Sequence, residues 1–381
     1  VADTWLAKGF AQYFEGLYAT AKNGTEEYLL WYHPWESGSV FGDWNAGNRH
    51  PIVPEKVSNA ENFAADSYAK FRGALVLRIL RKEIGDEAFF KSIQYFVKEH
   101  AFKMATTRDF QNAVKAASGK DLQWFFDQWI YKTGHPVFQV SGVYDSQAKQ
   151  YRLSIKQIQQ KDSSATYPQV SYFQGKMELE IDHKKEVIQL KPQRDNHFIF
   201  RLPAAPKMVN LDVEQTWIVE IQFEKTMDEW LHLFLHSQDM SARNIAMTEL
   251  VQLAVEKGTS ALDRNTIIQA FQQVIRSKAY WRFRFNAIGQ LRAIQALPYD
   301  QATTELLISL IKKEKTWVKA AALSSLGMMN DTKYADLFIS CLTDSSDRVV
   351  NAAAIALGKT KSPKAFEALL KLKDKPSWKN Q

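Results

Sequence analysis

The chain has 381 residues, 45% of them hydrophobic and 24% charged, a composition that fits two or three folded domains and excludes a disordered chain. Its net charge of +7 is the small difference between 49 basic and 42 acidic residues, and with no recognisable nucleic-acid module it points to no nucleic-acid partner. Cys341 stands alone, which excludes an intrachain disulfide and a cysteine-based zinc cluster, and no apolar run approaches the ~20 residues of a membrane span. The chain opens at Val1 without a methionine or a signal peptide and reads as a fragment or a processed product.

Residues 1–135 read as helices with loops. Trp5, Phe10, Tyr13, Phe14 and Leu17 recur at helical spacing, whereas residues 31–60, rich in Gly, Pro and Asn, read as a long irregular loop. Leu75, Leu77, Ile79, Leu80 and Ile84 predict a helix that ends at Gly85, and a second helix follows over 87–99. Thr106 to Asp109 has the pattern of a capping box, opening a helix that Ser118-Gly119 stops. An aromatic helix over 121–131 completes this part.

From Pro136 the hydrophobic period becomes two. Alternating stretches at 137–143, 151–158, 177–181 and 197–202, separated by turn-rich segments, predict about seven short strands and a β-sandwich over 136–225. From 226 to 381 the pattern is helical and repeats: Ala246…Leu250, Ala287…Leu291, Ala322…Leu326 and Ala353…Leu357. The leucines lie 41, 35 and 31 residues apart, which predicts stacked helix pairs of HEAT type.

The first part resembles the aminopeptidase N family of zinc metallopeptidases, of the gluzincin type. Trp5-Leu-Ala-Lys-Gly-Phe-Ala-Gln-Tyr-Phe-Glu15 is similar to the family's W-L-N-E-G-F-A-x-Y-x-E helix. Arg72-Gly73, Leu80-Arg81 and Gly85-Asp86-Glu87 match the run that follows it, and Phe125 to Pro136 supplies the last landmark in order. The resemblance implies that residues 1–135 are the helical half of a thermolysin-like domain. The whole is then a multidomain α+β chain in which a β-sandwich (136–225) and helical repeats (226–381) follow.

The resemblance also implies where the chemistry would be. In the family two histidines of H-E-x-x-H and a distal glutamate hold zinc, which needs lone-pair donors and one open position. The glutamate's position is Lys8 here, and an ammonium has no lone pair to give. Glu15 lies about 10 Å farther along the helix, too far to replace it. No H-E-x-x-H occurs in the chain, and zinc is expected only if that motif and another ligand lie upstream. The family's transition-state tyrosine, three residues before the glycine, registers on Lys70, with Tyr68 as a substitute only if the loop were two residues longer. His232 and His236 have ligand spacing but lack the intervening glutamate and read as tips of a packed helix, and the remaining histidines are scattered.

Two functional readings follow, beside a purely structural one in which the helical repeats dock a partner protein and the first part is only a platform. The first is a pseudoenzyme that binds or scaffolds a peptide or protein, with an anion or carboxylates compensating Lys8 and Lys70. The second is a zinc-dependent aminopeptidase whose H-E-x-x-H lies upstream.

Overall fold

The computed structural model describes residues 2–55 and 67–373 and divides into two compact units, Val1–Ala242 and Arg243–Gln381.

In the first unit, α1 (Trp5–Asn23) buries Trp5, Gly9, Gln12, Tyr13, Gly16 and Ala19, one stripe of a 3.6-residue helix. Gly24, with φ of 94°, ends it. After the short turns Thr25–Glu27 and Tyr28–Tyr32, helix α2 spans His33–Asn45. This corrects the reading of residues 31–60 as an irregular loop. Pro34 stands in the first turn, where its missing N–H costs nothing. Gly38 and Gly42 face open space, and the inward stripe His33, Glu36 and Val40 is mostly polar. Residues 46–55 do run without regular structure, and 56–60 lie outside the described residues.

Helix α3 (Ser67–Ile84) is buried on nearly every side and forms the centre of the helical part. Around it stand α4 (Asp86–His100), α5 (Thr107–Ser118) and α6 (Gln123–Phe126), the last continuing as a π-helical turn, Asp127–Tyr131. The capping box at α5 is present: Asp109 N donates to Thr106 Oγ1, and Thr106 N donates to Asp109 Oδ2 at 2.8 Å.

Strands take over at β1 (Val137–Asp145), followed by β2 (Gln150–Gln157), β3 (Gly175–Ile181), β4 (Lys184–Leu190), β5 (Asp195–Arg201), β6 (Val209–Leu211) and β7 (Glu220–Phe223). Among the described residues they form a four-stranded sheet in the order β5-β2-β1-β7 and a three-stranded sheet in the order β4-β3-β6. All pairs are antiparallel except β1 with β7. Asp182 and His183 turn the β3–β4 hairpin with φ of 46° and 70°, a two-residue turn made without the usual glycine.

Helices and sheets of this unit share one core. Trp5, Leu75, Phe110 and Trp129 are continuous with Phe138, Leu153, Leu179 and Trp217. Helix α7 (Met227–His236) also belongs here. Ser237, at its end, donates to Glu180 Oε2 on β3 at 3.0 Å, and Asp239 accepts from Asn210 on β6 at 2.9 Å.

The second unit is helical. It begins within α8 (Met240–Val255) and continues through α9 (Ala261–Arg276), α10 (Trp281–Ile294), α11 (Gln301–Lys313), α12 (Thr316–Gly327), α13 (Ala335–Ser340), α14 (Asp347–Lys359) and α15 (Pro363–Lys373). The repeated residues Ala246, Leu250, Ala287, Leu291, Ala322, Leu326, Ala353 and Leu357 are all buried. Small residues there let neighbouring backbones approach: a Cβ on Gly327 would lie 2.5 Å from the Cβ of Ala356. The chain is thus an α+β protein with a helical first part, a β-sandwich and HEAT-like repeats.

Candidate functional site

Helices α1 and α3 cross at two glycines. A Cβ on Gly9 would stand 3.1 Å from Gly73 Cα, and one on Gly73 would stand 3.3 Å from the indole of Trp5. The start of α1 is anchored across to α5. Trp5 Nε1 donates to Thr107 Oγ1 at 2.8 Å, while Thr107 donates from N and Oγ1 to Asp3 Oδ1 at 2.8 and 2.6 Å. Lys8 lies one residue before Gly9, and Lys70 lies one turn before Gly73. The crossing therefore brings together the two stretches that carry them, and both side chains are half-buried. The Lys70 ammonium sits 5.6 Å from the ring centre of Trp35 on α2 and 5.0 Å from that of Phe71, over aromatic faces that attract a cation.

Tyr68 turns the other way. It is fully buried, 4.9 Å from the His50 ring and 5.5 Å from the guanidinium carbon of Arg72. Glu15 is exposed. Among the described residues no three His, Cys, Asp or Glu side chains are grouped to hold a metal ion. At the crossing Lys8 presents an ammonium, which has no lone pair to give a metal ion.

Beside the crossing lies a polar seam that the loop reading of residues 31–60 concealed. Glu36 is buried and accepts from Gln12 Nε2 and Tyr28 OH, both at 2.8 Å. Burial pushes the Glu36 carboxyl and the Tyr28 phenol up from their usual pKa ranges. Burial, then the nearby Arg78 charge, pushes the His33 imidazole down to about 3. Arg78 itself donates to the carbonyl oxygens of Gln215 and Glu214 at 3.1 and 2.7 Å. The outward side of the seam is an open cleft of about 450 Å³. Its other cations are matched by carboxylates: Arg81 grips Asp86 at 2.8 and 2.6 Å, and Lys82 meets Glu178 at 3.0 Å. Charges matched in this way hold elements together and leave little to attract a ligand. The spacing of His33, Glu36 and Val40 around Pro34 was the signal available in the sequence.

The rings of His232 and His236 lie 4.7 Å apart on α7, tilted by 46°, and the fold adds His183 from the β3–β4 turn, 6.3 Å from His232. Burial lowers the pKa of His232. His135 is buried and holds Glu220 at 2.7 Å, its pKa also lowered by burial. No helix among the described residues is long and apolar enough to cross a membrane.

Comparison with known proteins agrees with the order of the parts. The family model described as "Peptidase family M1 domain" matches residues 2–129, and that of "HEAT repeats" matches residues 303–380. Over 379 residues the chain is 24% identical to the tricorn protease-interacting factor F2 of Thermoplasma volcanium, covering 92% of this chain and 46% of that protein. It is 36% identical over 108 residues to aminopeptidase N of Haemophilus influenzae, 28% of this chain and 12% of the relative. It thus spans less than half the length of these curated relatives. Among solved structures, aminopeptidase A of Legionella pneumophila shares the fold with a TM-score of 0.70 at 15% identity, over 97% of this chain and 47% of that one. The first third of the chain thus matches the peptidase family M1 domain and the order of parts matches the fold of a solved aminopeptidase, which together support membership of the aminopeptidase N family.

Proposed function

We propose that this chain is a non-catalytic member of its family that binds a peptide or protein instead of hydrolysing one. The observation that carries the reading is Lys8, half-buried beside Gly9 where the family's motif has the glutamate ligand. A cation there repels a metal ion and donates nothing to it. Lys70, in the register of the transition-state tyrosine, supports the same conclusion, and Tyr68 is packed into the core instead of being offered to a substrate. Two ammonium groups need compensation, and an anion or carboxylates beside Lys8 and Lys70 supply it in this reading. The relative named as a protease-interacting factor supports a role in binding. The family's zinc-dependent aminopeptidases are the competing reading, with H-E-x-x-H on a segment upstream of Val1.

Zinc content and aminopeptidase activity of the protein purified from its native source test this. The expected result is neither stoichiometric zinc nor hydrolysis of aminoacyl substrates. One tightly held zinc per chain, lost when Lys8 is changed, would overturn it. Lys8→Glu is the complementary variant: gain of zinc affinity would indicate that this one residue is what the site lacks.

A further inference from the structure

In the second unit, α10, α12 and α14 are equivalent helices of successive repeats, and an open groove of about 420 Å³ runs over the middle one. Its floor is made of small side chains on α12, namely Ala320, Ala321, Ser324 and Ser325. Longer side chains from the flanking helices form its walls: Phe285 and Arg292 on one side, Arg348, Ile355 and Lys359 on the other. Every charged residue lining the groove is cationic. No carboxylate among the described residues pairs with Arg292, Arg348 or Lys359, in contrast to the cleft beside Arg78.

Arg348 is held in place before any ligand arrives. Its guanidinium carbon lies 3.4 Å from the ring centre of Trp317, which stacks on Trp281 at 5.1 Å with the planes 28° apart. A cation fixed in this way loses little freedom on binding. Arg348 and Lys359 stand at opposite ends of α14, and eleven residues of helix separate them by roughly 16 Å. An extended peptide covers that distance in about five residues. Between the ends lie the apolar surfaces of Phe285 and Ile355, the latter 54% exposed.

We propose that this groove docks an acidic peptide segment of a partner protein. About five to six residues lie extended, with carboxylates near each end and an apolar side chain over the Ala and Ser floor. The inference deepens the binding role proposed above and rests on it. A lone inorganic anion cannot span the two ends. A nucleic acid would gain nothing from the apolar middle, and Trp281 and Trp317 are already stacked on each other and on Arg348 instead of being open to bases. Charge-assisted hydrogen bonds to carboxylates and burial of one apolar side chain are what this surface offers.

The test uses the whole chain and the fluorescein-labelled heptapeptide DEALAED, followed by fluorescence anisotropy. Arg292→Glu combined with Lys359→Glu reverses charge at two exposed positions, and Ser324→Trp fills the floor from an exposed one. Saturable binding that falls at least tenfold in both variants, with unchanged thermal unfolding, is the expected result. Absence of saturable binding, or binding that Ser324→Trp leaves unchanged, overturns the groove. Equal or tighter binding of a single-stranded oligonucleotide with the same variant sensitivity overturns the peptide. Zinc content is read separately, so a zinc-bearing protein that still binds the peptide would refute only the non-catalytic reading.

Discussion

Asp212 is buried at a left-handed position, φ of 60°, where its carboxylate accepts the backbone N–H groups of Thr216 and Trp217, each at 3.0 Å. Burial, opposed by those hydrogen bonds and by Arg78, pushes its pKa up to about 7. A carboxyl raised in the folded state contributes stability that is fully present below its unfolded value and is lost as pH rises through 7. Asparagine tolerates the left-handed backbone and keeps an acceptor oxygen, without a charge to desolvate. The Asp212→Asn protein is therefore expected to gain stability relative to the parent as pH rises from 4 to 8, read by denaturant unfolding at each pH. A difference independent of pH contradicts this account. His33 works in the opposite sense. Its imidazole, lowered to about 3, contributes stability that is full above the unfolded value of 6.5 and is lost as pH falls toward 3. Between pH 4 and 6.5 the two slopes oppose each other, so only the comparison of variant with parent isolates Asp212.

Among the elements, the repeat helices are joined by ion pairs at matching positions. Arg284 lies three residues before Ala287 and reaches Glu314 at 2.6 Å, and Lys319 lies three before Ala322 and reaches Asp344 at 2.7 Å. Burial works against ionisation of Asp344, but hydrogen bonds from Lys319 and Ser346 N prevail and hold its pKa below the usual range. Lys319→Ala leaves that carboxylate half-sequestered without its partner, and we expect a loss of about 1–3 kcal/mol in urea unfolding. Lys319→Met with Asp344→Asn keeps the bond to Ser346 and removes both charges, so most of the loss is expected to return. If the double variant is as unstable as the single one, the pair is not what the alanine removed. The Ala-to-Leu spacing of these helices was legible in the sequence because their inward residues are apolar. The ion pairs were not, because their acidic halves lie on other segments. For the same reason α2 was read as loop: its inward face carries His33 and Glu36, and only the fold supplies their partners. Lys8 and Lys70 stood out only against the motif of a family, since nothing in their spacing marks a site. Their placement at the Gly9–Gly73 crossing came from the structure.

For the whole molecule, the division at Ala242 has a thermodynamic meaning. The continuous core running from Trp5 to Ile218 contains no residue of the second unit. The repeats bury their own stripe of Ala and Leu. A unit with a core of its own can unfold as a cooperative unit of its own. In each unit a glycine sits at a helix crossing where added volume meets packed neighbours: Gly73 against Gly9 and Trp5, and Gly327 against Ala356. Valine at either position overpacks a helix crossing, at a cost of about 1–3 kcal/mol. In calorimetry we expect two unfolding transitions, with Gly73→Val lowering the midpoint of one and Gly327→Val that of the other. Hydrogen exchange assigns them: Gly73→Val should speed exchange in α1 and α3 while leaving α12 and α14 protected. A single transition that both substitutions lower alike would mean that the units unfold as one body, and the first third of the chain would then depend on the repeats for its stability.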